Sequence, residues 1–135
     1  MIYIFSAFYA EAKNIIDHYG LKKEKSPEMV RFDVFANESI RLVITGVGEI
    51  NAAAAVSNIG GAYGISPDDE ILNVGCGAGF SSDICMGSIF LGNKLTEQMT
   101  GRTFYPDMLM NANFRECEIV TVARVLNEGC DSVVY

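Results

Sequence analysis

The 135 residues carry seventeen acidic against ten basic side chains, a formal net charge of −7, with half of the chain hydrophobic and a fifth charged. That is the composition of one globular domain able to bury roughly two thirds of its unfolded surface. With no basic cluster beyond "KKEK" at 22–25, it argues against nucleic acid or any extended polyphosphate surface as a partner.

The first element predicted is a strand, because "IYIFSA" at 2–7 is a continuous apolar run of strand length, the pattern of burial on both faces. "EAKNIIDHY" at 11–19 then places Ile15, Ile16 and Tyr19 on one helical side, until Gly20 stops the helix. Polar "KKEKSPE" at 22–28 reads as a turn, and "VRFDVFA" at 30–36 alternates with period two as a half-exposed strand. Asn37 and Glu38 turn the chain into a second strand, "IRLVIT" at 40–45, which predicts a hairpin.

After "GVGE" at 46–49 the alanine-rich "INAAAAVSNIGGAYG" predicts a helix packed closely on a sheet, with the glycines at 60 and 61 weakening its end. "ILNVG" from 71 is expected to be a short buried strand, and the β-α-β order argues a largely parallel sheet. "GSIFLGNKLTEQMT" at 87–100 predicts two strands or one long bent one, "GRTFYPDMLMNANF" an ordered loop, and "EIVTVARVLNEG" a strand followed by a short helix. The Met and Phe residues of that loop suit core packing, a stacking wall or a contact between copies. The chain closes on "CDSVVY", an apolar strand-like run without a cap. A buried strand normally continues into something that covers it, so residues 1–135 are expected either to form a single incomplete α/β domain or to rely on a partner.

Cys76, Cys85, Cys117 and Cys130 include no C-x-x-C pair, and the one histidine, His18, is far from them in sequence. No metal site, no disulfide framework and no cofactor are expected, and the thiols read as reduced and cytosolic. No apolar stretch reaches the roughly eighteen residues of a membrane span, and "MIYIFSAFYAEAK" has no basic leader region. A cytoplasmic protein with no membrane partner is the expectation.

Two glycine loops follow two apolar strands, "TGVGE" at 45–49 and "GCGAGF" at 75–80. Ligands of open α/β sheets sit at the carboxyl ends of strands, so both loops are expected to face one crevice, although each taken alone also reads as an ordinary tight turn. Glu11, just beyond the first strand, is expected on the same edge, where a carboxylate at a helix N-terminus is also favoured by the dipole.

These pieces, "IYIFSAFYAEA", "TGVGEINAAAA", "ILNVGCGAGF" and "MGSIFLGNKL", come in an order and spacing that resembles the nucleoside phosphorylase and nucleosidase superfamily, above all the methylthioadenosine/S-adenosylhomocysteine nucleosidases. The resemblance covers nearly the whole chain. It implies a mixed, largely parallel sheet with flanking helices, similar to the purine nucleoside phosphorylase fold and lacking its C-terminal part. It also implies a small nucleoside ligand, association into a homo-oligomer, and hydrolysis of the N-glycosidic bond of a purine nucleoside or thionucleoside.

By that resemblance Glu11 matches the glutamate that orients and activates the attacking water, and Phe8 an apolar residue near the ribose. Gly46 and Gly48 match the glycine pair shaping the site, and Gly75, Cys76, Gly77, Ala78 and Gly79 match the loop beside ribose and base, where the family more often has Ser or Thr at the position of Cys76. Asn73 stands near the place where the phosphorylases have a phosphate-holding arginine, which favours water as the nucleophile. Phosphorolysis with phosphate held by Arg102 or another arginine is the alternative, and a non-catalytic nucleoside-binding or oligomerising module a third. In the family the strand matching "SVVY" leads into a ribose-binding glutamate and later an acidic aspartate, and the sequence ends at Tyr135 before either, so weak activity of this chain by itself is expected. His18 reads as a solvated helix residue, and Cys76 lacks a histidine base in the pattern.

Overall fold

The computed structural model describes residues 1–79, 84–108 and 113–123 and the backbone of the strand at 133–134. The chain divides into two compact units, Met1–Gly75 and Cys76–Tyr135.

The first unit is a mixed sheet between two helices. β1 (Ile2–Ser6), β4 (Ile40–Ile44) and β5 (Glu70–Asn73) are parallel, with β1 in the middle, while β2 (Lys22–Lys23) and β3 (Asp33–Ala36) add antiparallel strands beyond β4, giving the order β2-β3-β4-β1-β5. The register pairs Ile4 with Leu42 and Phe5 with Val43. Successive residues point to opposite faces, so Ile4 and Leu42 pack with Ala12, Ile16 and Leu21 around α1 (Tyr9–Tyr19), while Tyr3, Phe5 and Val43 pack with Ala55 and Ile59 of α2 (Glu49–Tyr63). Each fully buried aliphatic side chain here contributes about 1.5–3 kcal/mol. Continuous hydrophobicity in β1, and in β4 apart from Arg41, is therefore the signature of a sheet covered on both sides.

Local chemistry sets the boundaries. α1 starts at Tyr9, two residues before the expected "EAKNIIDHY", because Phe8 O accepts from the Glu11 and Ala12 amides and opens the helix there. It ends on Gly20 in the left-handed conformation (φ 61°). Of the apolar residues expected on one side, Ile16 is buried and Ile15 half-buried, but Tyr19 is exposed and meets His18 edge-on. In the hairpin, Asn37 Oδ1 accepts from the Ser39 and Ile40 amides.

Several expectations are corrected. Lys22–Lys23, assigned to a turn, pair with Phe35–Ala36 as β2, because backbone pairing overrides their poor strand propensity. The strand expected over 30–36 begins only at Asp33; before it, Asn58 of α2 accepts from the Arg31 amide and donates to Met29 O, holding the segment off the sheet. Gly60 and Gly61 lie inside α2, which continues to Tyr63 and is capped by Gly64. Only one side of α2 packs closely: Ala55 and Ile59 are buried, whereas Ala52, Ala53, Ala54 and Ile50 are exposed. β5, expected to be buried, is the edge strand of this sheet, with Ile71 50% exposed.

The second unit has a four-stranded sheet in the order β7-β6-β8-β9, formed by β6 (Phe90–Glu97), β7 (Thr103–Phe104), β8 (Arg115–Thr121) and β9 (Val133–Val134). The segment 87–100 contains one long strand, β6, with an irregularity between Gly92 and Lys94 where Ile119 closes over Gly92. The expected loop after it contains β7, antiparallel to β6, and exposes Phe104, Tyr105, Met108 and Phe114, which excludes core packing for these four. The expected helix after β8 and Cys130 fall outside the described residues.

Candidate active site at the carboxyl edge of β1 and β4

The strand order creates the site. From the carboxyl end of β1 the chain leaves to the α1 face, and from the carboxyl end of the neighbouring β4 it leaves to the α2 face. Two adjacent parallel strands whose exits diverge leave a crevice between them, the place where open α/β sheets bind ligands. The ladder runs up to its floor: the Thr45 amide donates to Ser6 O (2.9 Å) and the Gly46 amide to Ala7 O (3.2 Å). Among the described residues, the buried polar residues are Ser6, 0% exposed, and Thr45, 8% exposed, and both stand on this floor. Polar burial is costly and needs partners, so its concentration at one point of an apolar core marks a built feature.

Glu11 stands on the β1 side of the crevice in the first turn of α1, half-buried. Its Oε2 accepts from the Phe8 amide (3.2 Å) and from Ser6 Oγ (3.3 Å). The Phe8 contact is the carboxylate half of a capping box. Phe8 has no side-chain acceptor to complete the box. Its ring, expected near a sugar, is 53% exposed beside Glu11 in sequence and space.

The β4 side is the first glycine loop. Gly46 (φ 79°) and Gly48 (φ 96°, ψ 154°) adopt conformations that L side chains rarely reach, so glycine is dictated by the backbone here. Thr45 Oγ1 donates within reach of Gly46 O (2.7 Å) and Ser6 O (3.4 Å), and Asn51 Nδ2 donates to Val47 O (2.7 Å), which ties the loop to the first turn of α2. Among the described residues, no heavy atom beyond the adjacent residues lies within 4 Å of the place a Gly48 side chain would occupy.

Asn73 ends β5, on the same edge one strand over, paired with Phe5 and exposed; the following Val74 amide donates to Phe5 O, and Gly75 is exposed. Cys76, Gly77, Ala78 and Gly79 are exposed at the head of the second unit, so the described crevice consists of Glu11, Phe8, Gly46 and Gly48, with Asn73 and Gly75 on the neighbouring strand. Gly79 has a reason of its own to lack a side chain: a Cβ there would lie 2.7 Å from Ile84 Cδ1 and 3.0 Å from its Cγ2.

Sequence reasoning missed Ser6, Thr45 and Asn51. The legible signal for the first two was a hydroxyl residue closing each of two apolar strand runs. Among the described residues no group of three His, Cys, Asp or Glu is placed to hold a metal ion. Cys76 and Cys85 are exposed thiols, and burial pushes the Cys117 thiol up despite nearby Arg115. A shallow hollow of about 490 Å³ lined by Gly20, Lys22, Ala36, Asn37, Glu38 and Ser39 lies at the opposite, amino edge of the strands and holds none of the expected site residues.

No protein-family model and no curated protein matches the sequence. Solved structures do. A 5′-methylthioadenosine/S-adenosylhomocysteine nucleosidase from Neisseria meningitidis, in complex with methylthio-immucillin-A, aligns with a TM-score of 0.70 at 16% identity over 89% of this chain and 63% of that one. Futalosine hydrolase of Helicobacter pylori aligns at 0.78, with 12% identity over 98% of this chain and 77% of that one. The Colwellia psychrerythraea methylthioadenosine/S-adenosylhomocysteine nucleosidase, in complex with adenine, aligns at 0.77, with 16% identity over 98% and 71%. This chain thus spans under two thirds of the Neisseria chain. The order of strands, the two covering helices and these alignments together give the chain the fold of the nucleoside phosphorylase and nucleosidase superfamily.

Proposed function

We propose that the chain serves hydrolysis of the N-glycosidic bond of a purine nucleoside or thionucleoside, with Glu11 as the group that orients and deprotonates the attacking water. The observation that carries this reading is the carboxylate fixed by Ser6 and Phe8 at the switch point between β1 and β4. Cleavage passes through an oxocarbenium-like ribosyl cation. The bond to the base breaks with its electron pair going to the purine, an acid protonates the leaving base, and water adds to the sugar as Glu11 accepts its proton. Phe8 offers an apolar surface to the ribose, and Gly46 and Gly48 allow close approach of a ligand to the main chain. Asn73, Gly75, Cys76, Gly77, Ala78 and Gly79 complete the proposed binding set. The reading places the chain among cytoplasmic homo-oligomers acting on a small soluble ligand.

Water is favoured over phosphate because Asn73 is neutral and Arg41 is held by Glu24 (3.1 Å) at the far side of the strands. Adenine release from methylthioadenosine, followed with and without phosphate, tests this. Release independent of phosphate, reduced about 10²–10⁴-fold in Glu11→Gln, is the expected result. Release that requires phosphate would assign phosphorolysis instead. Absence of both release and calorimetric binding of adenine or methylthioadenosine refutes the enzyme and binding readings together.

A further inference from the structure

Ser6 closes the most completely buried strand of the first unit, where an alanine or valine would continue the apolar run, yet it carries a hydroxyl with no access to solvent. Its carbonyl is already used, accepting from the Thr45 amide. Two acceptors lie near its Oγ: Glu11 Oε2 at 3.3 Å and Phe8 O at 3.5 Å. The carboxylate is nearer and charged, and hydrogen bonds to ionised acceptors are the stronger ones.

From this geometry we infer that Ser6 is a positioning residue that holds the Glu11 carboxylate in place from the sheet side, a role that rests on the assignment of Glu11 as the water-activating base. The Phe8 amide alone satisfies the capping function of Glu11 and ties Oε2 only to the helix that carries it. Ser6 ties the same oxygen to β1, whose position is set by β4 and β5 on either side. A glutamate side chain left to itself samples several rotamers, and ordering it costs that freedom. Two donors from two different elements supply that ordering before a ligand arrives. A base misplaced by about 1 Å can cost on the order of a hundredfold in rate, which is why a buried hydroxyl is kept here.

The test uses the full chain and four variants, Ser6→Ala, Ser6→Thr, Ser6→Cys and Glu11→Ala, with the double variant of Ser6→Ala and Glu11→Ala. Amide exchange at Phe8, read by NMR, reports the Oε2 contact without requiring activity. Loss of the serine donor is expected to speed Phe8 exchange about fivefold, the factor corresponding to a hydrogen bond of about 1 kcal/mol. It should move toward the Glu11→Ala value, while the Ala12 amide, bonded to Phe8 O, is unchanged. Ser6→Thr retains the wild-type rate. If Ser6→Ala does not fold, Ser6→Cys, a weak donor of similar size, carries the same comparison. For adenine release, kcat falls about tenfold with KM unchanged, and Ser6→Ala adds nothing on the Glu11→Ala background. Wild-type Phe8 exchange in Ser6→Ala, or an equal loss of rate with and without Glu11, overturns the inference. A wild-type chain that releases no adenine refutes the hydrolysis reading separately, and Phe8 exchange then decides the role of Ser6 alone.

Discussion

Two tyrosines flank one guanidinium, and removing the same hydroxyl from each should move stability in opposite directions. Arg41 of β4 lies over the Tyr63 ring at 3.8 Å and 5.6 Å from the Tyr3 ring, and donates to Glu24 from Nε (3.1 Å) and Nη2 (3.4 Å) and to the Tyr3 hydroxyl from Nη1 (3.3 Å). Burial opposes the Arg41 charge, but the Glu24 hydrogen bonds and charge outweigh it and hold its pKa above the ordinary value. The Tyr63 hydroxyl, in contrast, is buried with no hydrogen-bond partner among the described residues. An orphaned buried hydroxyl costs about 1–3 kcal/mol, while a bond from a charged donor contributes about 1.5–3 kcal/mol. Tyr63→Phe keeps the ring under the cation and removes the orphan, so it should stabilise by about 1–2 kcal/mol and raise Tm by roughly 3–6 °C. Tyr3→Phe keeps the ring and removes a used acceptor, so it should destabilise by about 1–2 kcal/mol. Urea unfolding read by tyrosine fluorescence and circular dichroism, with matched m-values, measures both. Equal signs for the two changes would falsify the assignment of partners around Arg41. Tyr63 ends α2 and Tyr3 packs against that helix near the amino edge of the strands, away from Glu11, so neither variant should alter adenine release.

Leu42, fully buried between β1 and α1, should cost about 2–5 kcal/mol when cut to Ala, measured by the same unfolding curves. Gly48→Ala forces an L residue into φ 96° and ψ 154°, at a cost of about 1–3 kcal/mol; calorimetry should show weaker nucleoside binding than for Gly61→Ala, which lies inside α2 with open space around it. The Ser66 amide, and then the Met1 ammonium, hold the Asp69 carboxyl below its ordinary value. A depressed acid contributes stability that is present above its unfolded pKa and lost as pH falls through the folded one. Acid unfolding below about pH 4 should therefore be shallower in Asp69→Asn than in the wild type, while the two curves run parallel near neutrality.

Much of the first unit was legible because its signals are local. The apolar run at 2–7 is long enough to demand burial on both faces, and the helices after β1 and β4 end on Gly20 and Gly64, whose left-handed preference is intrinsic. Errors arose where pairing partners decide the outcome. Lys22 and Lys23 have no strand signal of their own and become one because β3 offers an edge. Ile71 and Leu72 look like core in sequence, but the place of β5 at the sheet margin leaves Ile71 half exposed.

For the site, the order of residues already determined that Glu11 follows the first strand and that glycines follow the second, since chain position and the need for positive φ are properties of short segments. That β4 lies directly against β1, and that the two chains leave toward opposite faces, depends on hydrogen bonds between residues some forty positions apart. The Ser6 hydroxyl meets the Glu11 carboxylate across only five positions, but long-range contacts bury it and set Thr45 beside it, because strand neighbours are chosen by the packing of both helices and not by any local pattern.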